Sequence, residues 1–586
     1  MVHSVCTFLL LVPWLFATAL AAASPVVNAI TVSGNSLFTT REILSLLSSK
    51  PGLQFSHQLL SNDLQTVMTT YEQRGYYDTR ISISRVDISA DSGAVDIELV
   101  VQEGKQGLLG EVVVAGNRVL TREEILGAFE TRPGAVLDQA TLEQDIDLLL
   151  GRYESLGYPF AECRVEDIVR RDTDEEILLD IHLRIDEHEK MHIDEVRVEG
   201  NKETAASVIV RETRLASGEV FDPEKIQAIR PRLRRLNIFS DVSDPELYLR
   251  DKKGGLLIKV QEGNTNTFDG VVGYQPGISP GEPGFLTGVA SVSMRNLFGT
   301  GRKLSFRWQR EDRFSQEIGI RYLEPWVLGF PANLGGGFFQ RKKDTTYVRR
   351  VFDLKGELML TEDLSVAALF STESVIPSDS LSARVFKSST VTVGAELQYD
   401  TRDDLYSPTS GARYRADYQY GSKRISDIPP SAALYTLGNS TVQRFGVDAD
   451  FFFTTFSRQV VAVGLRGREL RSGQLEESEM FRFGGMRTLR GYRENQFIGS
   501  RVVWTNTEYR LILARRSFLY GFIDTGYYFR PADDLLGIPA SDEFKYGYGL
   551  GIQLETGLGL MGVSFALGEG DSFSTGKVHF GVINEF

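Results

Sequence analysis

Cysteine is almost absent from this 586-residue sequence, which holds two, Cys6 and Cys163. Cys6 lies inside an N-terminal apolar leader, too early to be a lipidation cysteine. Removal of the leader would leave Cys163 alone, and a single thiol builds no disulfide framework. A basic excess is missing as well. Lys and Arg number 64 against 78 Asp and Glu, a formal net charge of −14. That balance argues against a nucleic-acid partner, because phosphate binding needs a positive surface. Beyond the leader no apolar run approaches the ~20 residues a membrane helix requires. A membrane-spanning form of this chain must therefore be a closed barrel. There is no phosphate-binding glycine loop and no G-x-S-x-G elbow, so neither a nucleotide engine nor a fused hydrolase is expected.

The leader, residues 1–23, reads as a secretion signal. Residues 8–23 are apolar and uncharged and end in small side chains, with only His3 where a basic start is usual. What the rest has in quantity is glycine (56), phenylalanine (35) and tyrosine (22). Glycine and aromatics together suit curved sheets with aromatic girdles.

Residues 26–263 repeat themselves. Short alternating strands ending in Gly-Asn occur at 30–35 (ITVSGN), 112–117 (VVVAGN) and 196–201 (VRVEGN). Each is followed by a helix-like segment, a Pro-Gly or Ser-Gly turn, and a second amphipathic stretch, which closes on Gly-Tyr in the first two copies. Two alternating segments then end in VVQEG, LRIDE or KVQEG. Each unit reads strand, helix, helix, strand, strand over roughly 75 to 80 residues. The expected units are 26–105, 108–188 and 191–264.

From about 265 to 586 the helical period disappears. In KYGYGLGIQLE, Tyr546, Tyr548, Leu550, Ile552 and Leu554 share one face, and Lys545, Gly547, Gly549, Gly551, Gln553 and Glu555 the other. Tyr414, Ala416, Tyr418 and Tyr420 likewise alternate with Arg413, Arg415, Asp417 and Gln419. A soluble sandwich also alternates, but its inner faces tend to be aliphatic. Aromatic residues toward lipid and polar residues with glycine toward a wet lumen describe a membrane barrel. About sixteen such segments are expected, an even number that returns the C-terminus to its starting side.

Several stretches resemble one family closely, the outer-membrane assembly proteins typified by BamA and TamA. They are NLFGTGRKLSF (296–306), YLEPWVLGFP (322–331), YDTRDDLYSPTSG (399–411) and, most specifically, FRFGGMRTLRGYRENQF (481–497). The last carries an Arg-Gly-aromatic motif as Arg490, Gly491 and Tyr492. The repeats resemble that family's POTRA domains. The resemblance implies α+β POTRA repeats in the periplasm followed by an all-β transmembrane barrel in a Gram-negative outer membrane. It also implies a non-enzymatic assembly role with no cofactor, unfolded outer-membrane proteins and outer-membrane lipid as partners, and a TamB-like inner-membrane protein or assembly lipoproteins as further candidates. Three repeats favour the TamA-like branch, with autotransporters among the clients. The alternative is a two-partner secretion transporter, which shares the barrel and the Arg-Gly-Tyr loop but exports one large protein through its pore.

In relatives the motif loop tucks into the barrel, where its arginine meets an acidic wall residue. The matching strand here is YGFIDTGYYF, in which Phe522, Asp524 and Gly526 share a face, so Asp524 is the expected partner of Arg490 and Glu508 a second acceptor. A charge exchange between Arg490 and Asp524 is expected to restore part of any lost function. The bland alternative is two unrelated lumen charges. The closing seam is expected between residues 268–274, with Phe268, Val272 and Tyr274, and residues 578–586, with Val578, Phe580 and Phe586. Asn584 stands where an aromatic is usual in the terminal strand.

His188, Glu189 and His192 spell H-E-x-x-H. Zinc-protease chemistry needs that motif on a helix, and here strand-like alternation flanks it on both sides, so no metal site is expected. Tyr76, Tyr77 and Tyr158 are expected to pack in repeat cores. Arg230, Arg232, Arg234 and Arg235 are expected to form a solvated helix face, with docking on the barrel rim or lipid headgroups as the alternative.

Overall fold

The computed structural model describes residues 25–586 except 90–92, 175, 252, 276–284, 311, 379–384, 428–437, 534–536, 557–558 and 584–586. The expected signal segment and the terminal Asn584 and Phe586 thus lie outside the described residues. The chain divides into two compact units, Met1–Met191 and His192–Phe586.

The first unit holds two similar repeats. One runs β1 (Val26–Ser33), α1 (Thr40–Leu46), α2 (His57–Glu72), β2 (Arg80–Ile88) and β3 (Ala94–Gln102). The other runs β4 (Gly107–Ala115), α3 (Arg122–Ala128), α4 (Gln139–Ser155), β5 (Glu162–Asp172) and β6 (Ile177–Asp186). Their sheets are ordered β1-β3-β2 and β4-β6-β5. Helices start where the sequence supplies caps: Thr39 with Glu42 and Thr121 with Glu124 form capping boxes. One face of α2 buries Leu60, Val67 and Tyr71, and α4 buries Leu142, Leu149 and Tyr153 at the same spacing.

The repeated Gly-Asn has a physical cause. Gly34 has φ 81°, and a Cβ there would stand 2.2 Å from the Val101 carbonyl oxygen, so no other residue fits. Asn35 then closes the turn by donating to the Phe38 carbonyl at 2.8 Å. The glutamate ending each repeat caps the same turn. Glu103 accepts from the amides of Ser36 and Leu37, Glu187 from Arg118 and Val119, and Glu262 from Lys202, Glu203 and Thr204. Tyr71 and Tyr153 hydroxyls donate to Glu103 and Glu187 at 2.9 Å.

The Gly-Tyr elements form joints. Gly107 N–H donates to Gly75 O at 2.7 Å, and Met191 N–H to Gly157 O at 2.9 Å. Tyr76 and Tyr158 pack against the repeat cores as expected from sequence. Tyr77 does not; its hydroxyl reaches the Leu137 carbonyl of the second repeat at 2.9 Å. The chain turns at Tyr77 and Asp78 before β2 begins, and the turn carries the second tyrosine of the pair away from the core.

The second unit begins with a third repeat: β7 (His192–Glu199), α5 (Ala206–Thr213), β8 (Glu219–Val220), α6 (Pro223–Arg235), β9 (Phe239–Val242), β10 (Glu246–Arg250) and β11 (Lys253–Glu262). Its edge strand is broken into β9 and β10, both pairing with β11. A 16-stranded antiparallel sheet follows. Its first half is β12 (Asn266–Gln275), β13 (Phe285–Leu297), β14 (Arg302–Arg310), β15 (Gln316–Glu324), β16 (Ala332–Lys343), β17 (Tyr347–Met359), β18 (Leu364–Pro377) and β19 (Lys387–Asp400). Then come β20 (Gly411–Asp427), β21 (Gly438–Phe456) and β22 (Gln459–Ser472). A small hairpin, β23 (Phe481–Phe483) with β24 (Phe497–Gly499), interrupts the order before β25 (Arg501–Ala514), β26 (Ser517–Arg530), β27 (Ser541–Thr556), β28 (Gly559–Gly568) and β29 (Lys577–Ile583). Among the described residues each barrel strand pairs with its neighbour, and no ladder joins β12 to β29.

The alternation predicts the faces. Tyr546, Tyr548 and Leu550 are exposed on the outside, as are Tyr414, Tyr418 and Tyr420. Inside, Glu373 takes Arg349 and Arg444, and Asp448 takes Arg415 and Arg468.

The basic face of α6 is not simply solvated. Arg232, 9% exposed, and Arg214 both pair with Glu362, and Arg235 pairs with Asp363 in the turn between β17 and β18. Arg230 and Arg234 remain local, on Asp244 and Asp241. Helical spacing explains the split. Arg232 and Arg235 are three apart and share a face, and that face meets the barrel rim. Around it, Asn296 donates to Thr204, Arg211 to the Thr300 carbonyl, and Trp326 to Glu212. Two family-like stretches, 296–306 and 322–331, therefore supply docking contacts for the third repeat.

Candidate functional site: the arginine loop

Between β22 and β25 the chain leaves the wall and folds inward. Gly484 and Gly485, at φ 113° and 101°, turn it, and Phe483, Leu489, Tyr492, Phe497, Val502 and Tyr528 pack as a core inside the barrel. The base of the loop is fixed by Lys423 of β20, fully buried, whose ammonium meets Glu476 at 2.5 Å and Glu479 at 2.7 Å. Glu476 also accepts the Phe386 N–H.

At the tip the structure brings Arg490, Asp524 and Glu508 together. Arg490 Nε and Nη2 donate to the two oxygens of Asp524, both at 2.7 Å, in a fork that matches carboxylate geometry. Its backbone N–H donates to the same carboxylate at 3.0 Å. Nη1 reaches Glu508 at 2.7 Å, and Glu508 also holds Arg510 at 2.8 Å. The guanidinium lies 3.7 Å from the centre of the Phe522 ring, a cation–π contact. Asp524 is fully buried, and these donors give both of its oxygens a partner.

The neighbouring motif residues are fixed as firmly. Gly491, φ 94°, donates its N–H to Nε2 of His579 in β29 at 3.1 Å. Tyr492 donates to the Tyr546 carbonyl of β27 at 2.9 Å and accepts from the Glu569 N–H, just beyond β28, at 3.0 Å. One loop thus touches β26, β27, the end of β28 and β29, the last four strands of the barrel.

The sequence reading passed over His579 and Lys423, and put Gly547 on the polar face without a role. Parity held His579 and Gly547: His579 alternates with Val578 and Phe580, and Gly547 with Tyr546 and Tyr548, so both face inward. Gly547 leaves room for the loop, since a Cβ there would lie 1.9 Å from the Arg490 carbonyl oxygen. No local signal marks Lys423, whose partners lie more than fifty residues away.

At the expected seam, Phe268, Val578 and Phe580 are exposed. Val272 and Tyr274 belong to β12, paired with Gly288 and Leu286. Phe586 is outside the described residues. The H-E-x-x-H segment runs from the loop after β6 into the first residue of β7, His192, without helix, and His188 has φ 52°, so the chelating geometry of a zinc protease has no helix to carry it. Among the described residues no group of three or more His, Cys, Asp or Glu could hold a metal ion. Cys163 is a partly buried thiol whose pKa burial pushes up to about 11.

Comparison with known proteins agrees with this architecture. A family model described as the Omp85 superfamily domain matches residues 296–586, and one described as POTRA, surface antigen variable number repeat, matches 25–104, 108–188 and 191–263. The outer membrane protein assembly factor BamA of Neisseria meningitidis serogroup B is 21% identical over 500 residues, 80% of this chain and 61% of that protein. BamA of Nitratidesulfovibrio vulgaris is 30% identical over 250 residues, 42% of this chain and 30% of that protein. The chain thus spans less than two thirds of these curated relatives. The crystal structure of BamA from Haemophilus ducreyi lacking POTRA domains 1-3 matches with TM-score 0.49 and 16% identity, covering 81% of this chain and 98% of that one. Family models matching nearly the whole described chain, on the repeats and barrel already seen, give one conclusion: the protein belongs to the Omp85 superfamily, an outer-membrane barrel of sixteen strands preceded by periplasmic POTRA repeats.

Proposed function

We propose that this protein assembles other β-barrel proteins into the outer membrane, without enzymatic chemistry. The observation that carries the reading is the loop holding the last four strands through Arg490, Gly491 and Tyr492. Opening a barrel in lipid strands backbone N–H and C=O groups, each costing several kcal/mol. A seam that opens and recloses therefore needs a flanking wall held from inside, which this loop supplies on the side of β26 to β29. The edges of β12 and β29, joined by no ladder among the described residues, then template an incoming client strand, with Phe268, Val272, Tyr274, Val578, Phe580 and Phe586 as the seam residues.

Clients arrive through the repeats. β2 and β5 are edge strands with exposed Ile83, Ile88, Val165, Ile168 and Val169, surfaces suited to strand addition. The edges of the third repeat's sheet are short by comparison, the five-residue β10, the four-residue β9 and the two-residue β8. A TamB-like inner-membrane partner and autotransporter clients belong to the narrower, TamA-like form of the proposal. Depletion of the protein followed by outer-membrane proteomics tests it. Loss of several barrel proteins is the expected result, whereas loss of a single secreted protein would instead indicate the two-partner exporter.

A further inference from the structure

Residues 401–410 join β19 to β20, the eighth and ninth of the sixteen strands, and so start directly opposite the seam. After eight strands the chain is back on the side where the third repeat enters. The other described turns on that side are shorter: 298–301, 325–331, 360–363, 457–458 and 515–516. A turn of this length could reach out by at most about five residues, roughly 17 Å if fully extended.

Thr454 of the adjacent β21 donates to its Thr409 carbonyl at 3.0 Å, and its other side-chain partners beyond the turn and the two strands it joins lie across the barrel. Tyr406 meets Arg295 of β13, the second strand, through a hydroxyl contact at 3.5 Å and a ring contact at 6.0 Å. Asp404 pairs with Arg516, at the head of β26, at 3.2 Å, and the same guanidinium lies 5.4 Å from the Tyr406 ring. Ser407, 4% exposed, accepts from Gln553 of β27, 5% exposed, at 3.1 Å. The turn is built to hold its shape. Asp403 accepts the amides of Asp404, Thr409 and Ser410, and Asp404 those of Tyr406 and Ser407.

We propose that residues 401–410 are a strap that closes the periplasmic mouth of the barrel, pinned on both flanks of the seam by Arg295 on one side and by Arg516 and Gln553 on the other. Arg516 also donates to Asn237 of the third repeat at 3.1 Å, so one side chain joins strap, wall and repeat. A polypeptide or ion stream entering the lumen from the periplasm has to displace the strap.

The test uses the full chain in planar lipid bilayers, in a background with Cys6→Ser and Cys163→Ser. Ser407→Cys with Gln553→Cys is bridged by a short bis-methanethiosulfonate linker, and the bridge is verified by mass. Loss of open-channel events in the bridged protein, and their return on reduction, is the expected result. Asp404→Ala, checked for folding by heat-modifiable gel migration, is expected to raise the frequency of openings above wild type. Equal conductance in bridged and reduced protein would overturn the strap, as would wild-type opening frequency in a folded Asp404→Ala. The conductance readout needs no client protein, so its failure is distinct from failure of the assembly reading.

Discussion

Gly491 donates its backbone N–H to the imidazole of His579, so the motif loop is tied to the barrel's last strand by a hydrogen bond to a side chain. His579→Ala leaves that buried amide unpaired, at a cost of about 1–3 kcal/mol. The variant barrel is expected to unfold on semi-native gels at a lower temperature than wild type; an unchanged transition would show that the tie contributes nothing.

Arg490→Ala is expected to reduce assembly activity and barrel stability together, since removing one partner of a buried pair costs about 3–5 kcal/mol. A simple pair would allow restoration by exchanging the charges, as the sequence suggests. The structure argues otherwise. An aspartate at position 490 would face Glu508, and an arginine at 524 would lose the backbone N–H contact that Asp524 accepts. Arg490→Asp with Asp524→Arg is therefore expected to behave no better than Arg490→Ala in a client-assembly assay. Recovery toward wild type would mean the site works as an isolated pair.

Gly547→Ala places a methyl group against the Arg490 carbonyl without touching any charge. The expected outcome is a loosened loop, read as faster protease cleavage within residues 484–496, in a barrel that still migrates as folded. Cleavage at the wild-type rate would exclude Gly547 as the seat of the loop.

Arg232→Ala and a substitution of Glu362 probe the docking of the third repeat. Hydrogen bonds to charged groups contribute about 1.5–3 kcal/mol each, reduced here because Glu362 is partly exposed. A double-mutant cycle on thermal stability is expected to give a coupling energy near the low end of that range. Strict additivity would place the two residues in contact without energetic consequence.

Glu262 governs the acid sensitivity of the third repeat. Burial favours its neutral form, but hydrogen bonds from Thr204, Glu203 and Lys202 outweigh burial and lower the carboxyl from 4.5 to about 2. A depressed folded-state value means that its stabilisation is complete above the unfolded value and lost as pH falls from 4.5 through about 2. Amides 202–204 are expected to exchange more slowly in wild type than in Glu262→Gln at neutral pH, with the difference closing over that acidic window. A pH-independent difference would contradict the assignment.

The sequence alone determined the repeats, the sixteen alternating segments and which barrel residues face out, because each depends on a period of two or 3.6 residues and on glycines whose φ no other residue tolerates. The family resemblance pointed from Arg490 to an acidic residue on the inner wall, and parity within the matching strand narrowed it to Asp524. Tertiary structure decided the rest. That Arg232 and Arg235 grip a barrel turn, that His579 and Lys423 hold the motif loop, and that residues 401–410 reach the far wall all depend on how the folded sheet places distant strands. That placement brings together residues from tens to more than a hundred positions apart, and no local pattern encodes which distant partner a side chain will meet.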